Sequence, residues 1–265
     1  MNLDVRRNQI TKDIYGYRTV IANIVLVGGC GAEGRDWVLI DAGVPFSGSY
    51  IKHFTEQVLG SGKKPIAIVL THAHFDHVGG LSYLLNEWQI PVYIHEQEQE
   101  HVTGIKDYPP PHPFIEKGLM AFLSPLYPRK AINIHSYIRL LSTDGSISEM
   151  PGWKWIHTPG HTEGHISLFR EKDHVVIAGD ALITVKQESA LAVVTQKKEI
   201  HAPPAYFTQD WDQSFDSIKK IQNLDPSLIY TGHGKPMEGI ELKKGMDLLI
   251  RRFERDMVGN EKYVH

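Results

Sequence analysis

The run Thr71-His72-Ala73-His74-Phe75-Asp76-His77-Val78-Gly79-Gly80 places three histidines and an aspartate within six residues. Imidazole nitrogen and carboxylate oxygen are the donors that borderline divalent metals such as zinc take, at about 2.0–2.2 Å. In extended backbone side chains alternate, so His72 and His74 fall on one side. Asp76 and His77 come next as the chain turns into a helix at Gly79-Gly80. The spacing therefore offers one pair of donors to a first ion and a second pair to a neighbour. Histidine and aspartate each occur 15 times, so chance produces this four-donor pattern in about three of a thousand such chains. Coincidence is a poor explanation.

Three later residues extend the set. His161 lies in Thr158-Pro159-Gly160-His161-Thr162, Asp180 in Ala178-Gly179-Asp180-Ala181, and His233 in Thr231-Gly232-His233-Gly234. Each comes just after a predicted strand and stands beside glycine, which lets backbone approach a site without steric cost. Loops clustered at one sheet edge commonly build active sites. Taken singly, each of the three reads as readily as a structural residue. With the first cluster they make seven donors, enough for two ions with room for solvent.

The elements that must position these donors are strands feeding helices. Val20–Val27 reads as a strand, Gly28-Gly29-Cys30-Gly31 as a turn, and Trp37–Ile40 as a second strand closed by Asp41. A helix over 49–59 buries Ile51, Phe54 and Val58 on one face. A buried strand over 66–70 runs into the histidine cluster, with a helix over 81–88 and a strand over 91–95 after it. Residues 153–157, 166–169, 175–178 and 228–230 read as further strands, with helices over 210–224 and 242–258. Strands in two groups, each succeeded by helices, suggest two packed sheets with helices outside. The stretch 104–134 differs: Pro109, Pro110, Pro111, Pro113, Pro125 and Pro128 alternate with Tyr108, Phe114, Phe122 and Tyr127. Proline at that density excludes long helices and central strands. We read 104–134 as an aromatic lid inserted in one domain spanning 1–265, against the alternative that its aromatics only pack it onto the body.

Composition narrows the partners. The 265 residues are 42% hydrophobic and 22% charged, with a net charge of −3. That is ordinary for a globular protein and leaves no footprint for nucleic acid or an anionic membrane. The expected partner is a small-molecule substrate, with homo-oligomerisation left open. One cysteine, Cys30, allows no internal disulfide, and the N-terminal Met1–Arg7 has no apolar stretch behind it, so a cytoplasmic location is expected. No apolar run reaches the length of a membrane-spanning helix.

The set His72, His74, Asp76, His77, His161, Asp180 and His233 resembles the metallo-β-lactamase superfamily in order, flanking residues and strand context, over about residues 18–235. The resemblance implies an α+β fold, a four-layer αββα sandwich of two mixed β-sheets flanked by helices, with metals at the mouth between the sheets. It also implies two Zn2+ per chain, Mn2+ or Fe2+ being accepted by the same donors. By position, His72, His74 and His161 would hold the first ion, Asp76, His77 and His233 the second, and Asp180 would bridge them. Two aspartates and no cysteine ligand look like the lactonase and glyoxalase II side of the family rather than the antibiotic-degrading enzymes. Histidine at 74, where flavodiiron proteins carry glutamate, argues against a di-iron redox centre.

The function so implied is metal-dependent hydrolysis. A metal-bridging hydroxide, present at neutral pH because coordination lowers the pKa of water from about 15.7 towards 7, attacks an ester, lactone or thioester carbonyl. Asp76, as the catalytic residue, orients it or passes a proton to the leaving group. Residual positive charge suits the oxyanion that develops. Two alternatives stand. A glyoxalase II-like thioesterase would grip its thiol carrier with C-terminal basic residues, but Lys243, Lys244, Arg251 and Arg252 are mixed with acids. A mono-iron, persulfide dioxygenase-like oxidoreductase is separable by metal content. Around the site, Asp41 either braces the metal loop or is a turn residue, His165 reads as structural, and His201 and Tyr206 either reach substrate from a loop or lie on the surface.

Overall fold

β-Branched and aromatic residues dominate the strands, which form two separate sheets. The computed structural model describes residues 5–112 and 118–258. Pro113 and Phe114 of the proline-rich segment, and Met1–Asp4, lie outside the described residues. The chain forms two compact units, one comprising the residues up to Tyr108 with Lys130–Lys154, the other Pro109–Arg129 with the residues from Trp155 onward.

The first unit carries a seven-stranded mixed sheet in chain order. Its strands are β1 (Gln9–Thr11), β2 (Ile14–Thr19), β3 (Ala22–Cys30), β4 (Asp36–Ile40), β5 (Ala67–Val69), β6 (Val92–Ile94) and β7 (Ile138–Leu140). β1 to β4 are antiparallel neighbours. β4 to β7 are parallel neighbours, as crossover connections through helices require. Those connections carry α1 (Gly48–Leu59), α2 (Phe75–Val78), α3 (Leu81–Trp88) and α4 (Gln99–Val102). α3 buries Leu81, Leu84, Leu85 and Trp88, the i, i+3, i+4, i+7 set of a helix with one core-facing stripe. These side chains join Ile51 and Phe54 of α1 and Leu39, Ile68 and Val92 of the sheet in one core.

Parallel neighbours end at the same edge of a sheet. The histidine run leaves the end of β5, while β6 leads into a 3-10 turn over Glu96–Glu98 and then α4. The two segments therefore emerge side by side. That is the structural reason the cluster sits where it does.

The Gly28–Gly31 turn is not where the sequence suggests. β3 continues through Gly28 to Cys30, pairing Gly28 with Trp37 and Cys30 with Asp36 across a bulge at Gly29, whose φ is 76°. A Cβ on Gly28 would lie 2.9 Å from the Trp37 ring. The glycine here admits an indole rather than a turn. The strand itself starts later than expected, because Val20 stands outside it, 75% exposed at φ 68°, in the connection that joins β2 to β3.

The second unit carries a five-stranded mixed sheet in the order β12-β11-β10-β9-β8, formed by β8 (Trp153–His157), β9 (Ile166–Arg170), β10 (Val175–Gly179), β11 (Leu228–Thr231) and β12 (Met237–Glu238). β10 is parallel to β11 and antiparallel to β9. Its helices are α5 (Leu119–Leu123), α6 (Ala190–Thr195), α7 (Trp211–Asn223) and α8 (Gly239–Val258). Asp210 caps α7, its carboxylate accepting from the Gln213 amide at 2.9 Å. Ile218 and Ile221 of α7 pack with Leu242, Met246, Leu249 and Phe253 of α8 and with Val176 and Ile229 of the sheet.

Of the proline-rich segment, residues 109–129 belong to this second unit. Met120 donates its amide to the Glu188 carbonyl, His112 to that of Tyr206, and Tyr127 packs 6.2 Å from both Tyr206 and Phe207. Phe122 is exposed. Among the described residues no helix is long and apolar enough to cross a membrane.

Candidate metal centre

In the first unit the donors sit on a loop braced at both ends by one carboxylate. Asp41 comes directly after β4, and its amide donates to the Val69 carbonyl at the end of β5, 2.9 Å. Its Oδ1 accepts from the Thr71 amide, and its Oδ2 from the Thr71 hydroxyl and from His77 Nδ1, each at 2.8 Å. Asp41 thus touches both sides of the motif. The loop is pinned again by Gly79 and Gly80, whose amides donate to the Gly43 and Ala42 carbonyls. A Cβ at Gly79 would collide with Pro45 N and Val44 C. Glycine is needed there for close backbone approach, since its φ of −62° is open to any residue.

The proton positions are set by this network. Thr71 spends its hydroxyl hydrogen on Asp41, so its oxygen accepts from His72 Nδ1 at 3.1 Å. His77 Nδ1 likewise donates to a carboxylate. Both rings therefore carry a hydrogen on Nδ1, and in the neutral imidazole this is the tautomer that presents Nε2 to a metal. The ring centroids of His72 and His74 are 4.8 Å apart and those of His72 and His77 4.2 Å. His72, His74, Asp76 and His77 are all buried. The helix turn begins earlier than expected: α2 starts at Phe75 with His74 as its first flanking residue in extended conformation, which places Asp76 in the first helical turn.

In the second unit Asp180 is the focus. Its Oδ2 lies 3.0 Å from His233 Nε2 and 3.6 Å from His161 Nε2, with all three residues buried. His161 is oriented by Thr208, whose hydroxyl donates to the Pro204 carbonyl at 2.9 Å and so accepts from His161 Nδ1 at 3.4 Å.

Asp180 is itself fixed by His165. The Asp180 amide donates to His165 Nε2 at 2.8 Å, so the hydrogen of that ring is on Nδ1, facing the Thr158 hydroxyl and carbonyl at 2.9 and 3.1 Å. Thr158 in turn reaches Ser167, which donates to Ala178. His165 is thus a neutral, fully buried imidazole that positions the Asp180 backbone.

This donor chemistry fits divalent metal. Imidazoles with Nδ1 engaged, aimed by carboxylate or hydroxyl, beside a buried carboxylate, are what metal sites are made of. His201 and Tyr206, the two loop candidates, have these surroundings. His201 pairs through its backbone with Ile183 and lies 3.9 Å from Glu199; burial pushes its pKa below the usual value against the pull of Glu199. Tyr206 is buried among Tyr127 and Phe207.

Sequence reasoning missed Glu98 and Thr208, and it read Tyr108 only as an aromatic of the 104–134 stretch, whereas Tyr108 belongs to the first unit and packs against His74. All three are ordinary-looking residues far in sequence from the histidines they contact or approach, and the one signal for Glu98 was its position just after β6, the neighbour of β5. Tyr108 is fully buried, and burial, then the Glu98 carboxylate, raises its pKa well above the usual phenol value.

Residues 17–233 match the family model of the metallo-beta-lactamase superfamily. The chain belongs to this superfamily. It is 46% identical over 244 residues to a probable metallo-hydrolase, YflN, of Bacillus subtilis, covering 92% of each chain. Among solved structures it resembles the BLEG-1 B3 metallo-beta-lactamase, with a TM-score of 0.57 at 21% identity over 95% of this chain and 100% of the other. It also resembles TTHA1623 in a di-iron-bound form, with a TM-score of 0.54 at 23% identity over 84% and 92%. At these identities the structural matches speak for the fold: two mixed β-sheets with flanking helices, the αββα class of the metallo-β-lactamase superfamily.

Proposed function

We propose that this metallo-β-lactamase superfamily member is a dinuclear, zinc-dependent hydrolase of a small ester, lactone or thioester. In this reading, which follows the family resemblance, His72, His74 and His161 would hold one ion and Asp76, His77 and His233 the other, with Asp180 available to both. The observation that carries it is the fixed tautomer: His72 and His77 each have Nδ1 engaged by a hydroxyl or carboxylate, which turns Nε2 into a donor. Bound divalent ions supply two things, a lowered pKa for water and polarisation of the substrate carbonyl.

The remaining work falls to the chain. Asp41 holds His77 and the Thr71 end of the loop. His165 holds the Asp180 amide. Asp76, a buried carboxylate in the first turn of α2, is assigned to hold the proton that passes from the attacking water to the leaving group. The proline- and aromatic-rich segment 104–134 is assigned the role of a lid that selects the substrate.

A panel of lactones, aryl esters and thioesters tests the reading. Turnover by the zinc-loaded protein, reduced at least 100-fold by His74→Ala and by Asp180→Ala, is expected. Turnover of thioesters alone would move the protein to the glyoxalase II kind. Inactivity on all three substrate classes, with one iron per chain, would replace hydrolysis by sulfur oxidation.

A further inference from the structure

The amide of Ala73 stands between His72 and His74, and two buried side chains converge on it. Glu98 Oε2 accepts from it at 3.0 Å and Tyr108 Oη at 3.1 Å. The Tyr108 hydroxyl donates to the same Glu98 oxygen. Glu98 is 2% exposed and Tyr108 5%. The Tyr108 ring also lies against the His74 ring, centroids 4.3 Å apart, and stacks on His101 at 3.8 Å and 9°. His101 is held in turn by the Lys106 carbonyl, 2.7 Å from its Nδ1. Ile132 and Ile134 donate their amides to the His101 and Val102 carbonyls, which fixes the backbone of α4.

Topology explains the meeting. β5 and β6 are parallel neighbours, so the turn after β6 that carries Glu98 emerges beside the loop after β5. A buried carboxylate is costly unless hydrogen-bonded. Here it is spent on one amide of the donor loop and on the hydroxyl of the residue that packs against a donor ring.

We propose that Glu98 and Tyr108 are positioning residues for the metal-binding loop: Glu98 sets the backbone between His72 and His74, and Tyr108 sets the plane of the His74 ring. The pair complements Asp41, which engages Thr71 and the His77 ring. The proposal rests on the reading of His72 and His74 as metal ligands. It extends that reading to two residues outside the donor set.

The test uses the full chain, stripped of metal, as wild type, Glu98→Gln and Tyr108→Phe. Phenylalanine keeps the ring and removes only the hydroxyl; glutamine keeps the shape and removes the charge. Zinc affinity is read by chelator competition and the ligand field by the visible absorption of the cobalt(II) form, with circular dichroism and the melting curve of the metal-free protein as controls on folding. The expectation is a 10- to 100-fold loss of zinc affinity and a changed cobalt(II) spectrum in both variants, with far-ultraviolet dichroism unchanged. Wild-type affinity and spectrum in both variants, while the wild type itself binds, would overturn the positioning role and leave the metal site standing. A wild type that binds neither ion would overturn both together.

Discussion

Asp41 adopts a left-handed backbone, φ 59°, at the point where its carboxylate can serve Thr71 and His77 at once. Aspartate and asparagine tolerate that conformation better than other side chains, so Asp41→Asn keeps the backbone and removes the charge. The variant is expected to fold and to lose 10- to 100-fold in zinc affinity, measured by chelator competition. A second residue-scale expectation concerns His201. Burial lowers its pKa, so the unfolded chain binds a proton near pH 6.5 that the folded chain refuses. Stability is therefore lost as pH falls through that region towards the folded value, and the loss levels off below it. The ring of His201 should titrate below about 6.5 by NMR, and His201→Gln should flatten the fall in unfolding free energy over the same range; a midpoint above the ordinary value would refute this.

At the scale of elements, the close passage of Gly79 past Pro45 decides where α2 sits. Gly79→Ala forces the 42–45 and 77–80 segments apart and is expected to cost about 1–3 kcal/mol in denaturant unfolding, with metal retention falling in parallel. Helices and strands with strong periodicity were legible: α3 lies at 81–88 as its apolar spacing requires, and Trp153–His157 is a strand as read. β1, β7 and β12 are two or three residues long and lie in no uninterrupted apolar run, unlike the equally short β5, which the apolar stretch 66–70 reveals. The stretch 28–31 misled because a glycine that makes room for Trp37 looks the same in sequence as one that makes a turn. The cluster His72, His74, Asp76 and His77 stood out because it falls within six residues, and the structure buries all four side chains. The surrounding contacts of Glu98, Tyr108 and Thr208 showed no such pattern, because only parallel strand order and loop return create them, whereas His165 is structural as read.

For the molecule as a whole, each unit has its own apolar core, so the fold does not depend on metal for burial. Ions that bind only the native state still stabilise it, by about 2.7 kcal/mol at 100-fold above Kd. Stripping them is expected to lower Tm by about 5–10 °C for a chain of this size, restored by zinc; an unchanged Tm would argue against tight native-state binding. Whether the seven donors hold two ions is decided most directly by elemental analysis of the protein purified without added metal. About two divalent ions per chain, falling to one or fewer in Asp180→Ala, is the predicted result. One iron or no metal per chain in the wild type would contradict it.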